Sequence, residues 1–179
     1  MSLHAALLCA QDATDNNKHE VGMDIQWYPA GWLIGPIYQY HPKTHHAFFA
    51  KLGVNFANRH DWSGLNDDEK GIGYGGSLGY RYYLKPQMST FFIGTRGELY
   101  NTYIHWKNDI GMPAETSGRT QIIVYQPSFE VGYWARIPKT KWCLTISSGA
   151  GIEINVVTKG KPVGEGGMWL ATISLLRST

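Results

Sequence analysis

The sequence predicts an all-β protein, an eight-stranded antiparallel up-and-down β-barrel of the transmembrane kind. Three observations point there, and the first lies in residues 120 to 138. Their odd positions, Ile123, Tyr125, Pro127, Phe129, Val131, Tyr133, Ala135 and Ile137, carry no charge. Their even positions include Gln126, Ser128, Glu130, Gly132, Trp134 and Arg136. Side chains of a strand point alternately to its two faces, so this is one long strand with an apolar and a polar side. It exceeds the roughly five or six residues usual in soluble sheets. The second observation is that the same period-two pattern recurs along the chain. The third is that the connections alternate between short and long.

The strands follow in order. Strand one, 20 to 29, puts Val21, Met23, Ile25 and Trp27 opposite Glu20, Asp24 and Gln26. Strand two covers 32 to 41. Strand three, 46 to 58, sets Phe48, Leu52, Val54 and Phe56 against Lys51 and Asn55. Strand four, 71 to 85, sets Ile72, Tyr74, Leu78, Tyr80 and Tyr82 against a Gly/Ser face with Arg81. Strand five, 89 to 106, sets Phe91, Ile93, Leu99 and Tyr103 against Arg96 and Glu98. The parity-split segment is strand six. Strand seven, 141 to 157, carries Trp142, Leu144, Ile146, Ile152, Ile154 and Val156 opposite Lys141, Glu153 and Asn155. Strand eight, 167 to 177, is apolar in part on both faces. Pro36 and Pro127 fall inside strands, where a missing N–H marks a bulge or an edge.

Connections HPKTH, KPQM and PKT are short, whereas NRHDWSGLNDDEKG, KNDIGMPAETSGR and TKGKPVGEGG are long. They alternate in step with strand number, as tight periplasmic turns and free extracellular loops do. The first hairpin, near Pro29 to Gly31, departs by being short. Tyr40, Phe48, Tyr82, Phe91, Tyr133 and Trp142 flank the tight turns on the apolar face. Trp27, Trp32, Tyr74, Tyr103 and Trp169 lie toward the other end. Two aromatic bands of this kind are expected at the two interfaces of a membrane.

Composition agrees. The chain of 179 residues is rich in Gly (21) and aromatics (11 Tyr, 7 Trp, 6 Phe) and carries a net charge of only +2. That charge points to neither nucleic acid nor a polybasic membrane patch. No apolar run reaches the ~18 residues of a helical span. A chain without one crosses a membrane only as a closed barrel, because lipid offers no partner to an open sheet edge. The polar parity holds Glu20, Asp24, Glu98, Glu130 and Glu153 with Lys51, Arg81, Arg96, Arg136 and Lys141. Buried charges must be paired, so these ten residues are expected to form a salt-bridge network that plugs the lumen. Eight strands enclose a space that side chains can fill, which disfavours a diffusion pore.

The segments GYGGSLGYRYYL (73 to 84) and FFIGTRGELY (91 to 100) resemble the hairpins of small outer-membrane barrel proteins. The resemblance is to the OmpA transmembrane-domain and OmpX type, in its compact Bacteroidetes-like form, and covers residues 20 to 177. It implies a bacterial outer-membrane location in a Gram-negative cell, with no catalytic motif. Such barrels usually end in an aromatic residue, and here the end reads Leu-Leu-Arg-Ser-Thr.

Residues 1–19 are read as a signal-peptide remnant or flexible N-terminus, with Cys9 in the run LHAALLCAQ, and residues 20–179 as the single barrel domain. Cys143 is read as a semi-buried strand residue without chemistry. His41, His45 and His46 are spaced for a metal, but no Cys or carboxylate accompanies them, and a solvated turn is expected. His60, Asp61, Ser63 and His105 supply the residue types of a hydrolytic triad, which would need its members within hydrogen-bond reach. Residues 71 to 79 are glycine-rich without the strand–turn–helix order of a phosphate loop. The acidic run 66 to 69 lacks calcium-loop spacing and is expected to be a solvated loop tip.

The expected function is therefore structural or adhesive, through loops 59 to 71, 107 to 119 and 158 to 166, with Trp62, His60 and Met112 as contact residues. The expected partners are outer-membrane lipid and an extracellular protein or surface ligand; no nucleic acid, cofactor or metal is expected, and the barrel is expected to be a monomer. Two other readings remain open: a soluble lipocalin-like barrel holding a small hydrophobic ligand, with its charges outside, and a lipid hydrolase or acyltransferase.

Overall fold

Alternation along each segment becomes a closed sheet when every strand finds two neighbours. A computed structural model describes residues 18–28, 31–59, 66–85, 89–160 and 166–178, without the side chains of residues 59 and 166–171. The strands are β1 (His19–Tyr28), β2 (Gly31–Lys43), β3 (His46–Arg59), β4 (Asp68–Tyr83), β5 (Thr90–Asn108), β6 (Thr116–Arg136), β7 (Trp142–Lys159) and β8 (Gly166–Ser178). They pair antiparallel in sequence order and close β1 onto β8, from Glu20↔Ser178 to Trp27↔Ala171. Closure removes both sheet edges.

The faces follow parity. Val21, Met23, Ile25 and Trp27 are exposed along β1, as are Tyr125, Phe129, Val131 and Tyr133 along β6. Glu20, Asp24, Gln26, Gln126 and Glu130 on the alternate positions are buried. Leu52 and Leu78 are each 70% exposed, whereas Arg81 and Glu130 are 0%. This distribution is the reverse of a lipocalin-like barrel, in which apolar side chains face the cavity.

The strands depart from expectation at the end that carries the long connections. β4 begins at Asp68, and β5 and β6 run to Asn108 and from Thr116, so their connection shrinks to a turn with Asp109 and Gly111 at positive φ. β5 and β6 have 19 and 21 residues. Part of what looked like loop is therefore strand. The acidic run is corrected with it: Glu69 is fully buried and accepts a 2.7 Å hydrogen bond from Asn66 Nδ2. Inward parity simply continues from Gly73 and Gly71 to Glu69.

The bulges expected at the prolines are absent. Pairing of β2 with β3 lapses between Ile34↔Val54 and Ile37↔Lys51 and resumes in the same register. At Pro127 the β6–β7 ladder lapses between Tyr125↔Ile154 and Ser128↔Gly151. Each proline stays paired on its other side, as Met23↔Pro36 and Gly97↔Pro127. Register shifts occur elsewhere, at Tyr40/Lys43 and Gln121/Ile122.

The narrow interior also explains the glycine-rich β4. A Cβ at Gly79 would lie 2.2 Å from Phe49 Cζ, and one at Gly73 would lie 2.3 Å from Thr102 Oγ1. Those positions are left without side chains so that larger inward neighbours fit.

Candidate functional site

The interior is layered. Along β5 the inward series reads Phe92, Gly94, Arg96, Glu98, Tyr100, Thr102, Ile104 and Trp106, so charge lies between two apolar stretches. Toward the tight turns, one cluster joins Ala47, Tyr83 and Phe92, and another joins Ile37, Phe49, Cys143 and Leu176; Trp134 packs on both. Toward the loops, Tyr28, Leu33, Tyr100, Ile104, Ile122 and Val124 form a third. The expected lumen was polar throughout. Apolar clusters flank the charged layer on both sides instead, and the signal is present in the inward parity of Phe49, Ile104, Ile122 and Val124.

Between these clusters sits the charged layer. Glu130 accepts from two guanidiniums: Arg81 Nε reaches Oε1 at 2.7 Å, and Arg96 Nη2 reaches Oε2. Ser147 Oγ also donates to Glu130 Oε2, at 3.3 Å. Arg96 Nη1 continues to Gln26 Oε1 and lies 3.6 Å from Glu98 Oε1, while Gln26 Nε2 donates to Glu98 Oε2 at 3.1 Å. Lys51 Nζ donates to Asp24 Oδ2, whose other oxygen accepts from Ser174 Oγ at 2.6 Å. Three cations thus meet three carboxylates in a fully buried layer. Burial of this kind is tolerable only with such compensation.

Aromatic rings hold the guanidiniums in place. The Arg81 Cζ lies 4.6 Å from the Phe49 ring centroid and 4.9 Å from that of Phe92, and Arg96 lies 5.4 Å from Phe49. Guanidinium over a ring face is favourable, more so where water is excluded. On the turn side, Arg81 Nη1 donates to Gln39 Oε1 (3.0 Å), and Gln39 Nε2 donates to Glu20 Oε2 (2.7 Å). Glu20 also meets His41 Nε2 at 3.3 Å. On the loop side, Gln126 Nε2 and Asn155 Nδ2 donate to the half-buried Glu153.

Two expected members stand apart. Lys141 is exposed in the turn before β7, because that strand begins one residue later, at Trp142. Arg136 ends β6 half-buried and forms no ion pair among the described residues. The amides and hydroxyls of Gln26, Gln39, Gln126, Ser147 and Ser174 join the network beyond the ten ionisable residues expected of it. Their inward parity beside charged residues was the available signal.

The aromatic positions fall on the outer face. Phe48, Phe91, Tyr133 and Trp142 are exposed and Tyr40 and Tyr82 half-buried near the tight turns; Trp27, Trp32 and Tyr103 are exposed toward the loops. Phe91 and Tyr133 meet edge to face at 5.0 Å. Trp169 lies on β8, and its side chain is outside the described residues.

The remaining candidates separate. His41 turns to Glu20, His45 Nδ1 to the Tyr83 carbonyl (2.7 Å), and His46 Nδ1 to the Tyr80 hydroxyl (2.6 Å). No group of three metal-ligating side chains occurs among the described residues. His105 is exposed on β5, with Lys70 and Arg119 as cross-strand neighbours. Cys143 is buried, deeper than expected, with a free thiol. His60, Asp61, Trp62, Ser63 and Cys9 lie outside the described residues. Met112 is 64% exposed in the β5–β6 turn. A cavity of about 10 Å³ near Tyr28, Asn55, Thr102 and Gln126 is too small for an organic ligand.

No family model matches the chain, and no curated protein matches it. Among solved structures it is similar to the N-terminal β-barrel domain of Pseudomonas aeruginosa OprF, at 14% identity and a TM-score of 0.47, over 90% of this chain and 96% of that one.

Proposed function

We propose that this chain is an outer-membrane β-barrel protein of a Gram-negative bacterium. Its role is structural or adhesive, its lumen is plugged by the salt-bridged layer, and its loops face outward. The observation that carries this is the inverted distribution of polarity: leucines 70% exposed on a sheet whose arginines are 0% exposed. Apolar surface in water costs about 25 cal/mol per Å², and monomeric soluble proteins rarely expose it as a contiguous belt. Hydrocarbon around the belt removes that cost. The tight turns and the described termini then lie toward the periplasm, and the long connections lie outside.

On this reading the partners are membrane lipid and, through the loops, an extracellular protein or surface ligand. The barrel acts as a monomer, since no strand edge is left for a second copy. The role is non-catalytic, and a lipid-modifying enzyme would require His105 to meet a hydroxyl and a carboxylate at the rim.

The test is refolding into detergent micelles, with unboiled and boiled samples compared on a gel. A compact, fast-migrating, heat-sensitive band that forms only with detergent is expected. A folded, monodisperse protein in plain buffer would overturn the proposal.

A further inference from the structure

The end of the barrel that carries the tight turns is electrically one-sided. Lys18, Lys43, Lys85, Lys139, Lys141 and Arg177 are its exposed charged residues among those described. The one described carboxylate near them, Glu20, is buried and engaged with Gln39 and His41. Five of the six are lysines at strand ends or in turns, where they meet water. Arg177 differs: it lies on the outward parity of β8, two residues beyond Leu175 and four beyond Ile173. It is therefore a formal charge on the lipid-facing side, at the level of the turn-side aromatic band.

The register shows what surrounds it. Trp142, Arg177, Val21 and Tyr38 are successive cross-strand partners on β7, β8, β1 and β2, and so form one row around the barrel. The Arg177 guanidinium carbon lies 5.9 Å from the Trp142 ring centroid. At the other end of the row, His19 Nδ1 and the Tyr38 hydroxyl share a 2.7 Å hydrogen bond. Lys141 immediately precedes Trp142 and is exposed.

We propose that this row, Trp142–Arg177–Val21–Tyr38 with Lys141 and His19 at its rim, binds the phosphate of an anionic phospholipid headgroup in the turn-side leaflet. The proposal rests on the membrane reading above. A guanidinium matches phosphate oxygens in two parallel hydrogen bonds, and its aliphatic stem lies along apolar surface while its head reaches the interface. A cation at the edge of the lipid face costs far less than one at the bilayer midplane. Trp and Tyr place a ring in the acyl boundary and a donor among the headgroups. The excess of exposed bases at this end adds long-range attraction for an anionic leaflet. Charge complementarity and the position of Arg177 in the girdle together select a lipid over a soluble acidic partner.

The test is native mass spectrometry of the full chain, refolded in micelles doped with equal phosphatidylglycerol and phosphatidylcholine. The wild type is expected to retain phosphatidylglycerol preferentially. Arg177→Gln should reduce that preference by about fivefold, the factor equivalent to ~1 kcal/mol per basic residue at an anionic surface. Arg177→Lys should keep part of it, and Arg119→Gln, an exposed base at the loop end, should leave it unchanged. Excess inorganic phosphate should displace the lipid poorly. Equal retention of both lipids by the wild type, equal effects of Arg177→Gln and Arg119→Gln, or ready displacement by inorganic phosphate would each overturn the site. A heat-sensitive folded band confirms the barrel beforehand in every sample. Its absence from the wild type would sink the membrane reading itself, and its presence with no lipid preference would sink this site alone.

Discussion

Arg81 and Glu130 meet two strands apart inside the barrel, Nε to Oε1 at 2.7 Å, with neither side chain reached by solvent. Forty-nine residues separate them in the chain. Glu130 also holds Arg96, so one carboxylate compensates two guanidiniums.

Glu130→Gln should therefore be among the most damaging single changes in the molecule. It leaves Lys51, Arg81 and Arg96 facing only Asp24 and Glu98. Breaking a buried ion pair from one side costs about 3–5 kcal/mol. Urea titration of the micelle-folded barrel, followed by the heat-sensitive band, should show the midpoint fall accordingly. An unchanged midpoint would mean that water reaches this layer.

Asp24 and Lys51 allow a cleaner measurement, because each has few other charged contacts. Lys51→Met strands a buried carboxylate that keeps a hydrogen bond from the Ser174 hydroxyl but loses its ion-pair partner. Adding Asp24→Asn removes the stranded charge. The double variant should recover most of the stability lost by Lys51→Met, since replacing a whole buried pair is often neutral. Additive losses would show that the two side chains do not depend on one another.

Gly79→Val tests the packing of the interior. Its Cβ would lie 2.2 Å from Phe49 Cζ, and that ring is wedged against Arg81 and Arg96. Overpacking of a filled core costs about 1–3 kcal/mol. Combined with Phe49→Leu, the variant should regain part of that loss in the same titration. A tolerated Gly79→Val with Phe49 intact would imply a looser lumen than the packing shows.

Leu78→Arg addresses the outer face directly. Leu78 is exposed in the middle of β4, so an arginine there should cost about 2–4 kcal/mol in a bilayer. Folding yield into phosphatidylcholine vesicles should fall sharply, whereas Thr158→Arg, beyond the loop-side aromatic band, should fold like the wild type. Equal yields from the two variants would show that Leu78 does not meet hydrocarbon.

Much of this architecture was legible locally. Which residues share a face is dictated by the pleat, a consequence of backbone geometry at each residue, and so Val21, Ile25, Phe129 and Val131 could be placed outside and Asp24, Arg81 and Glu130 inside from parity alone. The alternation of short and long connections, likewise local, ordered the hairpins. Strand ends were less legible. Lys141 misses the interior because β7 starts one residue later than expected, and Glu69 is buried because β4 starts earlier. Polar composition near a strand end reads as loop, whereas the ladder with β5 carries β4 on past the aromatic band.

What the sequence by itself determined is the sidedness of β1 and of β3 to β7, whose two faces differ in polarity. Which inward groups meet was decided only by the closed sheet. Asp24 takes its two partners from β3 and β8, the latter 150 residues away, and Glu130 takes its two arginines from β4 and β5. Those meetings depend on register, stagger and closure, which are set by hydrogen bonds between distant segments rather than by any residue's own preference. The apolar clusters that seal the charged layer depend on the same closure. A phenylalanine inside a strand tells which way it points, and only the barrel's narrowness tells that it will lie against an arginine.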